Sequence, residues 1–207
     1  WFTSEKKSIW AKLKTHQYKV IIAGSTHLGE DEIILAVFKQ LKAECNDLKL
    51  LIAPRHPERN NNVLELIKKT TEKYGLRSKN DNFDDADIIM LDTMGELGKL
   101  YSICDIAFIG GGFSGTGGHN PLEAAIYNKP SISGPSVFNF KDIYKFFTQE
   151  NASFVLTIQD ELYKKIKELL ENHANYKKSA DACKIVFEKN SGALEFSIKE
   201  LKNLLVE

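Results

Sequence analysis

The feature that most constrains this chain is a regular alternation of short apolar runs with stretches of helical period. Six runs read as buried strands: Tyr18–Ala23, Lys49–Ala53, Ile88–Leu91, Ile106–Ile109, Ser131–Ser133 and Phe154–Leu156. Between the first two, Ile34, Val37, Phe38 and Leu41 recur at i, i+3, i+4 and i+7. They follow the acidic turn Glu30-Asp31-Glu32, which suits the positive end of a helix. Val63, Leu66 and Ile67 repeat the pattern behind Asn60-Asn61-Asn62. Leu97, Leu100 and Tyr101, then Leu122, Ala125 and Ile126, then Ile143, Tyr144 and Phe147 mark three further helices. This order predicts an α/β fold, a Rossmann-like doubly wound parallel sheet covered on both faces. After about residue 157 the pattern turns helical. One stripe is Leu162, Ile166, Leu169 and Leu170; another is Leu194, Ile198, Leu201 and Leu205, behind Ser191 as N-cap. No repeat, low-complexity tract or linker interrupts the chain. Residues 1–207 therefore read as a single domain, with its sheet core at about 18–157 and C-terminal helices at 158–207.

Charge narrows the partners. Lys+Arg and Asp+Glu both number 28, so nothing draws the chain in bulk to nucleic acid or an anionic membrane. Any anion it binds must be held by a local site. The late lysines Lys164, Lys165, Lys167, Lys177 and Lys178 read as a solvated helix face. Cys45, Cys104 and Cys183 are scattered and odd in number, as buried or spare thiols of a reducing compartment are. No apolar run reaches the roughly 18 residues that cross a bilayer, and no signal peptide is visible. The chain opens at Trp1 without a Met, which predicts a soluble fragment of a longer protein.

In open parallel sheets, ligands bind beyond the carboxyl ends of the strands. Nearly every unusual residue falls there. The first strand is followed by Gly24-Ser25-Thr26-His27-Leu28-Gly29, the second by Pro54-Arg55-His56-Pro57-Glu58-Arg59, and the third by Asp92-Thr93-Met94-Gly95-Glu96. After the fourth comes a glycine loop, Gly110 to Gly118, then His119-Asn120-Pro121-Leu122-Glu123. Its glycines permit close backbone approach to a ligand. Behind it, Asn120 as N-cap and Pro121 at the first helical position predict a helix start suited to an anion. Glu123 is placed either to accept ribose hydroxyls or to favour the helix dipole. Arg55 and Arg59 offer forked donors for phosphate or carboxylate, or belong to a solvated turn. Met94-Gly95-Glu96 opens another helix at a strand end.

Several chemistries are excluded. Gly24 to Gly29 has P-loop spacing, but Glu30-Asp31 replace the Lys-Ser/Thr that would hold phosphate and magnesium. The first turn lacks the G-x-G-x-x-G of dinucleotide enzymes. Ser114 misses the nucleophile elbow, with Thr116 where a glycine belongs. His16, His27, His56, His119 and His173 lack metal-ligand spacing, so neither a metal nor a cofactor is expected. The residues alone point to a site on this rim for a phosphate or carboxylate, without naming its bearer.

Taken in order, Gly24-Ser25-Thr26-His27 with Gly29-Glu30, Pro54 to Arg59, Asp92 to Leu97, and Gly117 to Glu123 closely resemble the C-terminal half of the 3-deoxy-D-manno-octulosonic acid (Kdo) transferases. The resemblance spans roughly Tyr18 to Phe147; its rivals are another GT-B enzyme (a UDP-sugar transferase or a sugar-nucleotide epimerase), a non-catalytic sugar-nucleotide-binding module, or an interaction domain whose rim meets a protein partner. It implies one half of a GT-B glycosyltransferase, binding CMP-Kdo for transfer of Kdo to a lipid A precursor in lipopolysaccharide biosynthesis. It implies no bridging metal, and an inner-membrane protein working at the cytoplasmic face. Matched residue by residue, Pro54 and Arg55, then Met94, Gly95 and Glu96, then Asn120, Pro121, Leu122 and Glu123 would contact the CMP moiety. Ala124 stands where the family commonly has Pro, and Gly112 where it often has Ser. The general base, the acceptor surface and the membrane anchor would belong to an N-terminal domain absent from this chain. The isolated chain is then expected to bind donor without turning it over.

Overall fold

In the computed structural model, residues 13, 18–79, 81 and 83–187 are described. Seven parallel strands form one sheet: β1 (Lys19–Thr26), β2 (Leu48–Pro54), β3 (Tyr74–Leu76), β4 (Ile88–Met90), β5 (Ile106–Ile109), β6 (Ser131–Ser133) and β7 (Ser153–Val155). Their order is β3-β4-β2-β1-β5-β6-β7, so the winding reverses between β1 and β5. The crevice of such a fold opens at that reversal. Six strands match the expected runs within a few residues. The seventh, β3, is three residues long with Gly75 at its centre, too short and too mixed to carry a periodic signal.

Alternation along the strands sorts the core onto two faces. Ile21, Ala23, Leu50, Ile52, Ile88, Met90, Ile106 and Phe108 meet three helices: α1 (Glu30–Glu44) through Ile34, Phe38 and Leu41, α2 (Asn60–Thr70) through Val63 and Ile67, and α6 (Gln159–Glu171) through Leu162, Ile166 and Leu169. Val20, Ile22, Leu51, Ala53, Ile89, Leu91, Ala107 and Ile109 face the other way, against Leu100, Tyr101, Cys104 and Ala124. Full burial of such side chains stabilises by roughly 1.5–3 kcal/mol each, and a central strand gains on both faces.

The helices of the second face are short. α3 (Leu97–Leu100) and α4 (Leu122–Ala125) each have four residues, α3 running into a 3-10 turn at Tyr101–Ile103. α5 (Lys141–Gln149) packs Tyr144 and Phe147 inward, and residues 173–187 form a last helix, α7, that buries Cys183 and Val186 near Phe147. Cys104 and Cys183 are buried and Cys45 is partly buried, all as free thiols. Two of the late lysines are ion-paired, Lys165 with Glu168 and Lys167 with Glu44 and Glu171. The stripe from Leu194 to Leu205 and its cap Ser191 lie outside the described residues. Among the described residues, no helix is long and apolar enough to cross a membrane.

Candidate functional site

A cavity of about 240 Å³ opens at the carboxyl ends of β1, β2 and β4. Ser25, Ala53, Pro54 and Arg55 line one side; Leu91 to Gly95, Leu97 and Gly98 line another; Glu123 comes from α4. Ser25, next to last in β1, has φ 55, a left-handed conformation uncommon for a non-glycine residue, and interrupts the strand register between Gly24 and Thr26. Pro57 and Asn60 bring the start of the eleven-residue helix α2 to the same wall.

Five of the nine matched residues therefore share this cavity: Pro54, Arg55, Met94, Gly95 and Glu123. Glu96 does not line it. Its carboxylate accepts both Nε (2.7 Å) and Nη2 (3.0 Å) of the buried Arg77, together with the Thr93 hydroxyl (2.9 Å). Arg77 follows β3, so Glu96 fastens the loop after β4 to the sheet edge. Asn120, Pro121 and Leu122 also stay outside. Asn120 Oδ1 accepts the Leu122 N–H (3.0 Å), and Pro121 holds the cap position of the one-turn α4. The expected helix start thus falls one residue later, with Asn120 capping from ahead of it. Asn60 was not singled out from the sequence, although polar residues opening a helix after a strand end were its signal.

The charged groups divide into committed and uncommitted ones. Glu30 is fully buried and accepts the N–H groups of Gly111 (2.7 Å), Phe113 (2.9 Å), Ser114 (3.3 Å) and His27 (3.0 Å). The glycine loop therefore wraps the chain's own carboxylate: the close backbone approach that its glycines permit is made here to Glu30. Its glycines serve this packing. A Cβ on Gly112 would sit 2.4 Å from the Gly134 nitrogen, and Phe113 folds back to stack on Phe108. Asp31, also fully buried, accepts the Thr26 hydroxyl (2.6 Å) and pairs with Arg59, whose Nη1 donates to the Thr26 carbonyl (3.0 Å). Arg59 is thus a structural residue. Arg55, by contrast, donates only its backbone N–H, to the same Thr26 carbonyl. Among the described residues, the Arg55 guanidinium and the Glu123 carboxylate have no hydrogen bond or ion pair. Partial burial raises the Glu123 pKa above its ordinary value, and Arg55 opposes that shift.

Beside the cavity, three of the five histidines meet. His27 follows β1, His56 follows β2 and His119 ends the glycine loop after β5. His27 Nε2 lies 2.8 Å from His119 Nε2, the two rings nearly parallel (14°) with centroids 5.1 Å apart, and the His56 ring stands edge-on to His27 at 5.3 Å. Spacing along the chain gave no sign of this cluster, because the topology alone brings residues 92 positions apart into contact. Among the described residues, no set of three or more His, Cys, Asp or Glu side chains is arranged to hold a metal ion.

No family model matches the chain. A 3-deoxy-D-manno-octulosonic acid transferase of Haemophilus influenzae is 39% identical over 186 residues, covering 89% of this chain and 44% of that protein. A bifunctional glycosyltransferase/methyltransferase of Fusobacterium nucleatum is 40% identical over 205 residues, covering 98% of this chain and 31% of that protein. The chain therefore spans less than half the length of these relatives. Among solved structures, the C-terminal CMP-Kdo binding domain of WaaA from Acinetobacter baumannii matches with a TM-score of 0.81 at 26% identity, covering 86% of this chain and 94% of that one. Solved glycosyltransferase domains of GT-B type share the sheet and its helices.

Proposed function

From the premise that this chain belongs to the 3-deoxy-D-manno-octulosonic acid transferase family and covers its C-terminal domain, we propose that it binds CMP-Kdo in the cavity between β1, β2 and β4. The observation that carries this reading is the pairing state of the charges. Arg59, Arg77, Glu30, Asp31 and Glu96 are all bound within the protein, whereas Arg55 and Glu123 line one cavity and are bound to nothing described. Both side chains are exposed to solvent, and a cation and a carboxylate left unpaired in one cleft are free to meet a ligand.

The geometry supports a division of labour. Breaking the bond between Kdo and the CMP phosphate leaves negative charge on the departing CMP and develops positive charge on the sugar. Arg55 supplies a fixed, always protonated donor for that phosphate, the electrostatic part of catalysis. The 3-10 turn Pro57–Arg59, which runs into α2, adds the positive end of a helix to the same wall at Pro57. Glu123 accepts ribose hydroxyls, while Pro54 and Met94 give the nucleoside apolar surface; Met94 is 72% exposed and ready to be covered. In the longer protein, an N-terminal domain would hold the lipid A precursor, the general base and the attachment to the cytoplasmic face of the inner membrane. This chain would bind the donor and turn over nothing alone.

Calorimetry with CMP, UDP, AMP and NAD tests the reading. A preference for CMP is expected, and its absence overturns the assignment. Arg55→Ala should weaken CMP binding by about 1.5–3 kcal/mol, the range of a hydrogen bond to a charged group. Unchanged affinity returns Arg55 to a solvated turn.

A further inference from the structure

We propose that the His27–His119 pair is the site that receives the carboxylate of the donor sugar, separate from the Arg55 wall that faces the nucleotide phosphate. The inference rests on the donor reading above and adds a second anion site to it. The pair stands at the reversal between β1 and β5, where the crevice of this fold opens. Ser25, two residues before His27, lines the nucleotide cavity, and so does Arg55, next to His56. The pair itself lies off that lining, where the sugar end of a donor whose nucleotide fills the cavity would reach.

At 2.8 Å, one Nε2 donates its proton and the other accepts it. The two nitrogens therefore face each other along one hydrogen bond, and both cannot carry protons while they touch. An incoming carboxylate separates them. The acceptor ring takes one proton from solvent, and each Nε2–H then donates to one carboxylate oxygen, with no bond made or broken in the sugar.

The surroundings favour this exchange. Glu30 stands beside His27, but its carboxylate already holds four backbone N–H groups. From the loop after β2 come Arg55, His56 and Arg59, the last paired with Asp31. From α5, the Tyr144 hydroxyl donates to the His119 carbonyl (3.2 Å), leaving the ring untouched. The loop after β2 also carries Glu58, whose carboxylate lies 3.8 Å from His56 Nδ1, and Glu123 lines the adjoining cavity wall, so the carboxylate nearest the pair itself is the committed Glu30. Burial, then His27, Arg55 and His56, holds His119 down to about 4, and burial is the largest cause lowering His27. Both rings are neutral at pH 7 until an anion arrives. The backbone of His119 is fixed independently, its N–H donating to the Gly110 carbonyl (3.1 Å), so the side chain can be replaced without unseating the loop.

Calorimetry of CMP-Kdo and of CMP into this chain, each in two buffers of different ionisation enthalpy, reads the proton directly. CMP-Kdo should take up about one proton more than CMP at pH 7, and its affinity should rise from pH 8 to pH 6. His119→Asn and His27→Gln should each abolish the extra proton and weaken CMP-Kdo at least tenfold, while CMP affinity stays within twofold. Equal proton uptake by the two ligands overturns the proposal, as do variants that weaken both ligands alike. If CMP is still preferred over UDP in that case, the nucleotide reading stands without the histidine site; loss of that preference removes both.

Discussion

Replacing Glu30 by Gln tests whether the glycine loop is held by an internal carboxylate. Glu30 Oε2 accepts the Gly111 and His27 N–H groups, and Oε1 accepts those of Phe113 and Ser114. An amide keeps one acceptor oxygen and turns an NH2 toward the other two donors. Each buried donor left without an acceptor costs about 1–3 kcal/mol, so the variant should lose about 2–6 kcal/mol. That is a large share of the roughly 5–15 kcal/mol that holds a typical domain folded. With a urea slope of about 2 kcal/mol/M, the midpoint should fall by about 1–3 M. Glu32→Gln removes the same charge from the same helical turn at an exposed position. It should stay within about 0.5 kcal/mol. Urea unfolding followed by circular dichroism measures both. A Glu30→Gln loss below about 1 kcal/mol at unchanged slope would refute the reasoning.

Arg59→Ala should destabilise by about 3–5 kcal/mol, because it leaves the fully buried Asp31 carboxylate without its cation. Arg55→Ala, four residues away, should leave the melting temperature unchanged, and equal losses in thermal unfolding would contradict the division into committed and uncommitted charges. Glu123 has a folded-state pKa raised above its ordinary value, chiefly by burial. Its contribution to stability is therefore present at low pH and lost as pH rises through the folded pKa. Glu123→Gln should be more stable than the parent at pH 7, match it below about pH 4, and bind CMP more weakly. A variant that is less stable at neutral pH, or binds CMP undiminished, contradicts that.

How much of this was legible in the sequence depends on the range of the interaction. Periodicity is local, so the runs around Val20, Leu50, Ile88 and Ile106 declared a parallel sheet, and the rule that ligands meet strand ends put the unusual loops on one rim. Partnership is not local. Arg55 and Arg59 look alike in the chain, yet one meets Asp31 and the other meets nothing described. Glu30 reads as an ordinary first-turn acid until β5 brings residues 111–114 against it. Glu96 looks like part of a helix N-terminus, but β3, which no pattern announced, delivers Arg77 to it. The histidines were separated by sequence and joined by the reversal of strand order. The sequence by itself determined the fold class, the rim and the family, because these follow from hydrophobic period and short motifs. The tertiary structure alone decided which charges are already neutralised, since that depends on which residues are neighbours in space.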